Sequence, residues 1–321
     1  MSKLKISFSN TKEPTTLFKK SVFEESYQET GDYFSTPIPA LGYFNAEDFD
    51  IPHTQITRRE YEDVSEVCAD DTTLLRIAHE EKKYIDLENA SYQAYKKIFQ
   101  YMQERSDMNL LRIWNYIPHI LRHDNLERYR EFNVGRWNAW QESGPKFSDG
   151  TPKRPAATGI GSFDGPLIVE ALFTKYSVIY LENPRQTQFI HYSEKWGVRP
   201  PISARGTAHM HPDGVEVYIA GTASLLGEEV AHEGDVVEQT YETLRNIQAL
   251  ISGENLKKYE IDAHFDLNNL EGIRVYIKNP DTDFSRIKSI LEKELPDKDI
   301  LYVHDDICRP GFLIEIEAVA R

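Results

Sequence analysis

The clearest alternation of apolar and polar positions lies in the last third of the chain. Residues 215–221 predict a strand ending in glycine, and residues 222–235 a loop. Residues 236–253 repeat apolar side chains at helical spacing and stop at Gly253. A strand over 273–277 follows, then a helix over 281–295 with Thr282 or Asp283 near its start and Pro296 just past its end. Strands over 301–303 and 312–319 complete the order β-α-β-α-β-β, which predicts a small mixed sheet with its helices on one face.

Upstream the pattern is weaker. Residues 1–70 read as short strands and loops punctuated by Pro14, Pro37, Pro39 and Pro52. Asp70, Asp71 and Thr72 are placed to cap a short helix from about Leu74, and a second helix over 90–103 carries Tyr95, Ile98, Phe99 and Met102 at helical spacing. Residues 109–117 predict an aromatic-rich strand, 125–141 a helix of alternating charges and aromatics, and 143–161 a long Gly-, Pro-, Ser- and Lys-rich loop. Two more strands are expected over 165–172 and 177–182. No repeat is legible between the two halves.

The final strand carries the most chemistry. Leu313, Glu315 and Glu317 share one face, Ile314 and Ile316 the other, and Cys308 and Arg309 lie just upstream. An unpaired buried carboxylate is costly, so a core strand with Glu where Val would pack marks a candidate acid site. The competing reading is a half-exposed edge strand with both carboxylates solvated.

Composition limits the classes that fit. The formal charge of -15 argues against nucleic acid as the main partner but leaves room for a small anion held by local arginines. Two cysteines, Cys68 and Cys308, are too few for a disulfide framework. With no apolar signal core in the first residues and no run long enough to span a bilayer, the expectation is a soluble cytoplasmic protein.

Several runs carry a family resemblance. Residues 221–224, 233–240, 244–247 and 315–320 are similar to the reactive-intermediate deaminases, a trimeric chorismate-mutase-like fold with sites between subunits. A longer resemblance, spanning most of the chain from about residue 110, is to the chorismatases. It rests on Arg112-Ile113-Trp114-Asn115-Tyr116-Ile117-Pro118, on the run from Glu127 to Arg136, on Asn183-Pro184-Arg185-Gln186 and on Ser203-Ala204-Arg205. It implies an α+β fold of two deaminase-like domains, here 1–205 with insertions and 206–321, each a mixed sheet with helices packed on one face. It also implies a monomer or small homo-oligomer that uses no metal or organic cofactor.

The implied reaction is cleavage of the enolpyruvyl ether of chorismate to pyruvate plus a benzoate or cyclohexadiene acid. Protonating a carbon is slow, so the acid must be positioned and kept protonated near neutral pH. The family places that acid at Glu315. Glu317 is read as a structural hydrogen-bonding group. The substrate carboxylates call for arginines, with Arg136 and Arg205 first, then Arg185 and Arg309. Arg130 is read as part of a solvated charged turn. Tyr116, Tyr129, Tyr192 and Asn115 are candidate polar contacts. Cys308 and Gly221 are expected to act on product choice, because aromatising members resemble this chain there and hydrolytic members carry alanine at both. The glycine is expected to leave room for the ring to tilt. This favours 3-hydroxybenzoate, then 4-hydroxybenzoate, over the dihydroxy-cyclohexadiene acid.

His209 and His211, with Asp213 close by, suggest a metal, but no third ligand is signalled and a structural or surface role is preferred. Gly159-Ile160-Gly161 and Gly221 lack the strand-to-helix context of a phosphate loop. Imine or enamine hydrolysis and non-catalytic binding of a small acid stand as alternatives.

Overall fold

The computed structural model describes residues 4–9, 19–24, 26, 34–44, 46–50, 55–123 and 127–321. Pro14, Pro52 and Asn125 lie outside them. Four strands, Lys5–Ser9 (β1), Lys19–Phe23 (β2), Phe34–Thr36 (β3) and Ala46–Asp50 (β4), form a sheet of order β1-β4-β2-β3.

Thr57–Tyr61 (β5), Val64–Cys68 (β6), Thr72–His79 (β7), Asn109–Pro118 (β8), Ala156–Ser162 (β9) and Leu167–Thr174 (β10) form a six-stranded sheet of order β5-β6-β7-β10-β8-β9. Its helices are Leu87–Glu104 (α1) and Arg128–Ser143 (α2). The second six-stranded sheet, of order β11-β12-β13-β18-β16-β17, uses Val178–Leu181 (β11), Gly206–His211 (β12), Gly214–Ala223 (β13), Leu270–Ile277 (β16), Ile300–His304 (β17) and Ile314–Ala320 (β18). A small hairpin, Leu225–Leu226 (β14) with Glu229–Val230 (β15), precedes the helices Val236–Ile251 (α3), Gly253–Lys257 (α4) and Pro280–Glu294 (α5).

The two large sheets have the same topology. Four pairings in each are antiparallel, and one parallel pair (β8 with β9, β16 with β17) is joined through a helix. The structure therefore contains the repeat that residue identities conceal. Because β11 pairs with β12, the second unit begins before the expected boundary at 205/206.

Three cores hold the layers together. One lies between α1, α2 and the first sheet, another between α3, α5 and the second. The third joins the two sheets, where Leu74, Trp114 and Ile168 share a core with Tyr218, Leu301 and Val319, and Phe23 and Phe49 of the small sheet close it. Apolar burial of this kind stabilises by about 25 cal/mol per Å² removed from water.

Local departures from the sequence reading have physical causes. Residues 72–79 form β7 rather than a helix. Ala69 N–H donates to Thr72 O, so Asp70 and Asp71 make the turn of a hairpin, and both faces of β7 are buried, which erases the period-two signal. Residues 156–162 are a strand, not loop. Gly159 and Gly161 there allow close approach, since a Cβ at Gly161 would lie 2.5 Å from Asp305 Oδ1. The expected loop 222–235 contains the β14–β15 hairpin. Gly253 does not stop α3 but opens α4, with Ser252 Oγ accepting from Asn255 N–H at 3.2 Å.

The α1–α2 crossing depends on Gly135, where a Cβ would overlap Glu88 O and Ser91 Oγ. Gly135→Ala is expected to lower unfolding stability by about 1–3 kcal/mol through overpacking. Denaturant titration checks this, and an unchanged midpoint would show that the helices can part without cost.

Candidate active site

β18 is a central strand between β13 and β16, so the solvated-edge reading of its carboxylates fails. Ile314 and Ile316 enter the helix-side core, while Glu315 and Glu317 face the first sheet, only 4% and 5% exposed. Two buried acids on one face need different surroundings, and they have them.

Glu317 is enclosed by donors. Arg112 Nη2 donates at 2.8 Å, Trp114 Nε1 at 3.0 Å and Arg274 Nη1 lies at 3.0 Å, with the Thr158 hydroxyl as a fourth partner. Burial pushes its carboxyl up, but Arg274 and Arg112, with Thr158 and Trp114, hold it below the usual carboxylate range. Arg274 is balanced on its other side by Glu47. Glu315 has no such partners among the described residues. Burial raises its pKa, the Glu317 charge raises it further, and Arg112 and Arg205 oppose them only in part, leaving it pushed up to about 8. Carboxyls driven apart in this way separate an acid from a fixed anion.

Glu315 opens into a pocket enclosing about 870 Å³ of empty space, open solvent at its mouth included. The pocket lies on the seam between the sheets. β9 and α2 contribute from one side, and β13, β18 and the irregular segment 186–205 from the other. Four arginines line it.

Arg136 is buried among Phe132 and Tyr95, and its Nη2 donates to Asn133 Oδ1 at 2.5 Å. Arg205 stacks 3.6 Å from the Phe189 ring centre and donates to Thr187 O and the Tyr192 hydroxyl, both at 2.8 Å. In both residues Nε is buried without a hydrogen-bond partner among the described residues. Arg309 lies 3.7 Å from the Trp196 ring centre and donates to Glu228 O at 2.7 Å. None of these three pairs with a carboxylate among the described residues. A buried guanidinium with a free donor is costly unless an anion completes it.

Tyr129, Tyr192, Cys308 and Gly221 also line the pocket. Tyr192 oxygen accepts from Arg205, which leaves its proton free for a ligand. Burial, with the charges of Glu315 and Glu127, pushes the Cys308 thiol up to about 12, so it stays a neutral S–H. At Gly221 the structure changes the expectation of open room. A Cβ there would overlap Glu315 Oε1, so the space left by the missing side chain is filled by the acid itself.

Three expected contacts lie elsewhere. Asn115 is buried inside the first unit, accepting from the Tyr95 hydroxyl and donating to Thr158 O, both at 2.8 Å. The Tyr116 hydroxyl meets Arg274 at 2.9 Å. Arg185 pairs with Glu242 at 2.5 Å on the far side of the segment. All three stand in the quoted motifs, but Asn115 points to the helix side of β8, Tyr116 faces the second sheet and is taken up by Arg274, and the turn at Asn183 carries Arg185 to Glu242.

Conversely, Arg130 does line the pocket, its Nε 3.1 Å from Glu127 Oε2. Glu127, Gln186 and Ser203 line it too and were present in the motifs without being singled out. Phe189 and Trp196 come from short 3₁₀ turns that carry no periodic signal. His209 is held by Glu216 at 3.1 Å and Thr174 at 3.0 Å, while His211 accepts from Asp213 N–H at 3.1 Å. No cluster of three or more His, Cys, Asp or Glu suited to a metal occurs among the described residues.

The pocket thus sets a desolvated carboxyl beside three arginines that pair with no carboxylate among the described residues. Comparison with known proteins then places the chain. Residues 51–173 match the family model "Chorismatase FkbO/Hyg5-like, N-terminal". A 3-hydroxybenzoate synthase of Streptomyces hygroscopicus is 38% identical over 238 residues, covering 72% of this chain and 68% of that protein. A chorismatase of the same organism is 33% identical over 244 residues, covering 75% and 69%. A chorismatase crystal structure superposes with a TM-score of 0.86 at 24% identity, covering 100% of this chain and 99% of the other. The chain belongs to the chorismatase family. Among the described residues no helix is long and apolar enough to cross a membrane.

Proposed function

We propose that this enzyme cleaves the enolpyruvyl ether of chorismate, releasing pyruvate and a hydroxybenzoate, with Glu315 as the general acid. The observation that carries the reading is the pairing of a carboxyl pushed up to about 8 with buried Arg136 and Arg205, each with an unpartnered Nε. Chorismate is a dianion, and each guanidinium offers a planar fork to one carboxylate. Glu315 gives its proton to the methylene carbon of the enol ether, and the resulting cation is stabilised by the ether oxygen. Breaking the ring C–O bond, with its electron pair going to oxygen, then yields pyruvate and a ring cation, which rearranges with the neighbouring ring hydroxyl and returns one proton to the Glu315 carboxylate to give the hydroxybenzoate. The segment carrying Tyr192 and Trp196 covers the pocket and limits water.

The 3-isomer is favoured, with the 4-isomer next. The support is the neutral Cys308 thiol lining the pocket and the 38% identity to a protein named 3-hydroxybenzoate synthase. Ring aromatisation takes up no water, whereas the dihydroxy-diene route consumes one.

Incubating purified protein with chorismate, measuring pyruvate and separating the acids against authentic standards tests both levels. Pyruvate with 3-hydroxybenzoate is the expected result. Pyruvate with only the diene would overturn the product assignment, and no pyruvate would return the site to the imine or enamine alternative. Gly221→Ala, which must push the Glu315 carboxyl aside, is expected to slow pyruvate release by roughly tenfold or more. Cys308→Ala should alter the product ratio with less effect on rate. An unchanged ratio would remove Cys308 from product control.

A further inference from the structure

We infer that Thr158 is a positioning residue for the acid: from β9 of one sheet it holds the Gly221 bulge of the other, against which the Glu315 carboxyl packs. The inference rests on the reading of Glu315 as proton donor. In the β13–β18 ladder Ile219 stands opposite Ala318 but Thr222 stands opposite Ile316, so β13 carries one extra residue at Ala220 and Gly221. A bulge frees backbone groups from the ladder and re-aims what surrounds it.

The Gly221 N–H freed there donates to Thr158 Oγ1 at 3.0 Å. The same hydroxyl donates to Glu317, and Arg112 Nη2 donates to it, so its one proton and both lone pairs are used. Thr158 Cγ2 lies 3.1 Å from where a Gly221 Cβ would stand, beside the Glu315 Oε1 that fills this place. The Thr158 carbonyl is fixed by Asn115 Nδ2, which gives that motif residue its purpose. Thr158 thus connects the fixed anion, the bulge and the acid across the seam.

Glu315 faces Glu317 on its own strand, Tyr276 opposite it on β16, Arg112 from β8 and Tyr129 from α2. Arg205, Cys308 and Asp305 face it from the connecting segments, with Arg136, Arg130, Arg309 and Glu127 across the pocket. Removing the Thr158 hydroxyl keeps all of these side chains but withdraws a hydrogen bond from Glu317, from Arg112 and from the Gly221 N–H, which is then released on the bulge against which the carboxyl packs, where a donor favours the ionised form. The Glu315 midpoint should move down.

The test compares Thr158→Val, which keeps the shape, with Thr158→Ser, which keeps the hydroxyl. The Glu315 carboxyl is titrated by ¹³C NMR, its resonance assigned by its loss in Glu315→Gln, and kcat and KM are measured in parallel. Thr158→Val is expected to lower the midpoint by about 1 and kcat about tenfold, with KM changed less than about threefold, while Thr158→Ser stays within about threefold of wild type. A folded Thr158→Val with wild-type midpoint and kcat overturns the inference, as does a variant that cannot fold, which would make the residue purely structural. The titration needs no substrate, so absence of pyruvate from the wild type together with a shifted midpoint would fail the chorismate reading and leave the positioning role intact.

Discussion

Glu315→Gln should reduce pyruvate release from chorismate by two orders of magnitude or more, because the amide keeps the shape of the acid but cannot supply the proton. The loss should appear in kcat, since Arg136 and Arg205, proposed to hold the substrate, are untouched. The pH dependence gives an independent check. A general acid works only in its protonated form. Burial and the Glu317 charge push Glu315 up to about 8, so wild-type activity should persist through neutral pH and fall as pH rises through that value. An unperturbed carboxyl would already have lost its proton near pH 4–5. Retention of more than about a tenth of the activity in Glu315→Gln would move the acid to another group.

Arg136→Ala and Arg205→Ala should each weaken chorismate binding by about 2–5 kcal/mol, measured by calorimetry on the Glu315→Gln background to prevent turnover. Each guanidinium is buried, has an Nε without a hydrogen-bond partner and pairs with no carboxylate among the described residues, which is why both are proposed to take a substrate carboxylate. Arg205→Lys should not restore binding, because an ammonium cannot stack on Phe189 while reaching Thr187, Tyr192 and the ligand from one plane. Wild-type affinity in both alanine variants would place the substrate elsewhere. A loss confined to one of them would assign the substrate carboxylates to a single arginine.

How much of this was legible in the residues differs along the chain. The helices α1, α3 and α5 were readable because each has a single apolar face and a distinct end, such as Asp235 accepting from Val237 and Glu238 N–H. The strands β7 and β9 were not. One is buried on both faces, and the other carries glycines where a helix and a loop from other parts of the chain approach. The site shows the same division. Glu315, Arg136, Arg205 and Arg309 converge as the motifs implied, but Asn115, Tyr116 and Arg185 turn inward or outward within the same motifs. A motif records that residues serve one structure. It does not record which of them touch the ligand.

The sequence by itself determined a carboxylate-bearing core strand, a supply of arginines in recognisable runs, and the family these runs resemble. Only the tertiary structure decided how differently the two carboxylates are surrounded. Glu315 and Glu317 are chemically identical and two residues apart, and what separates them is Arg112, Trp114 and Thr158 of the first sheet closing on one and leaving the other to the pocket. Proton affinity in a protein interior is set by burial and by charges brought within a few ångströms, and those neighbours come from positions some 160 to 200 residues away in the chain.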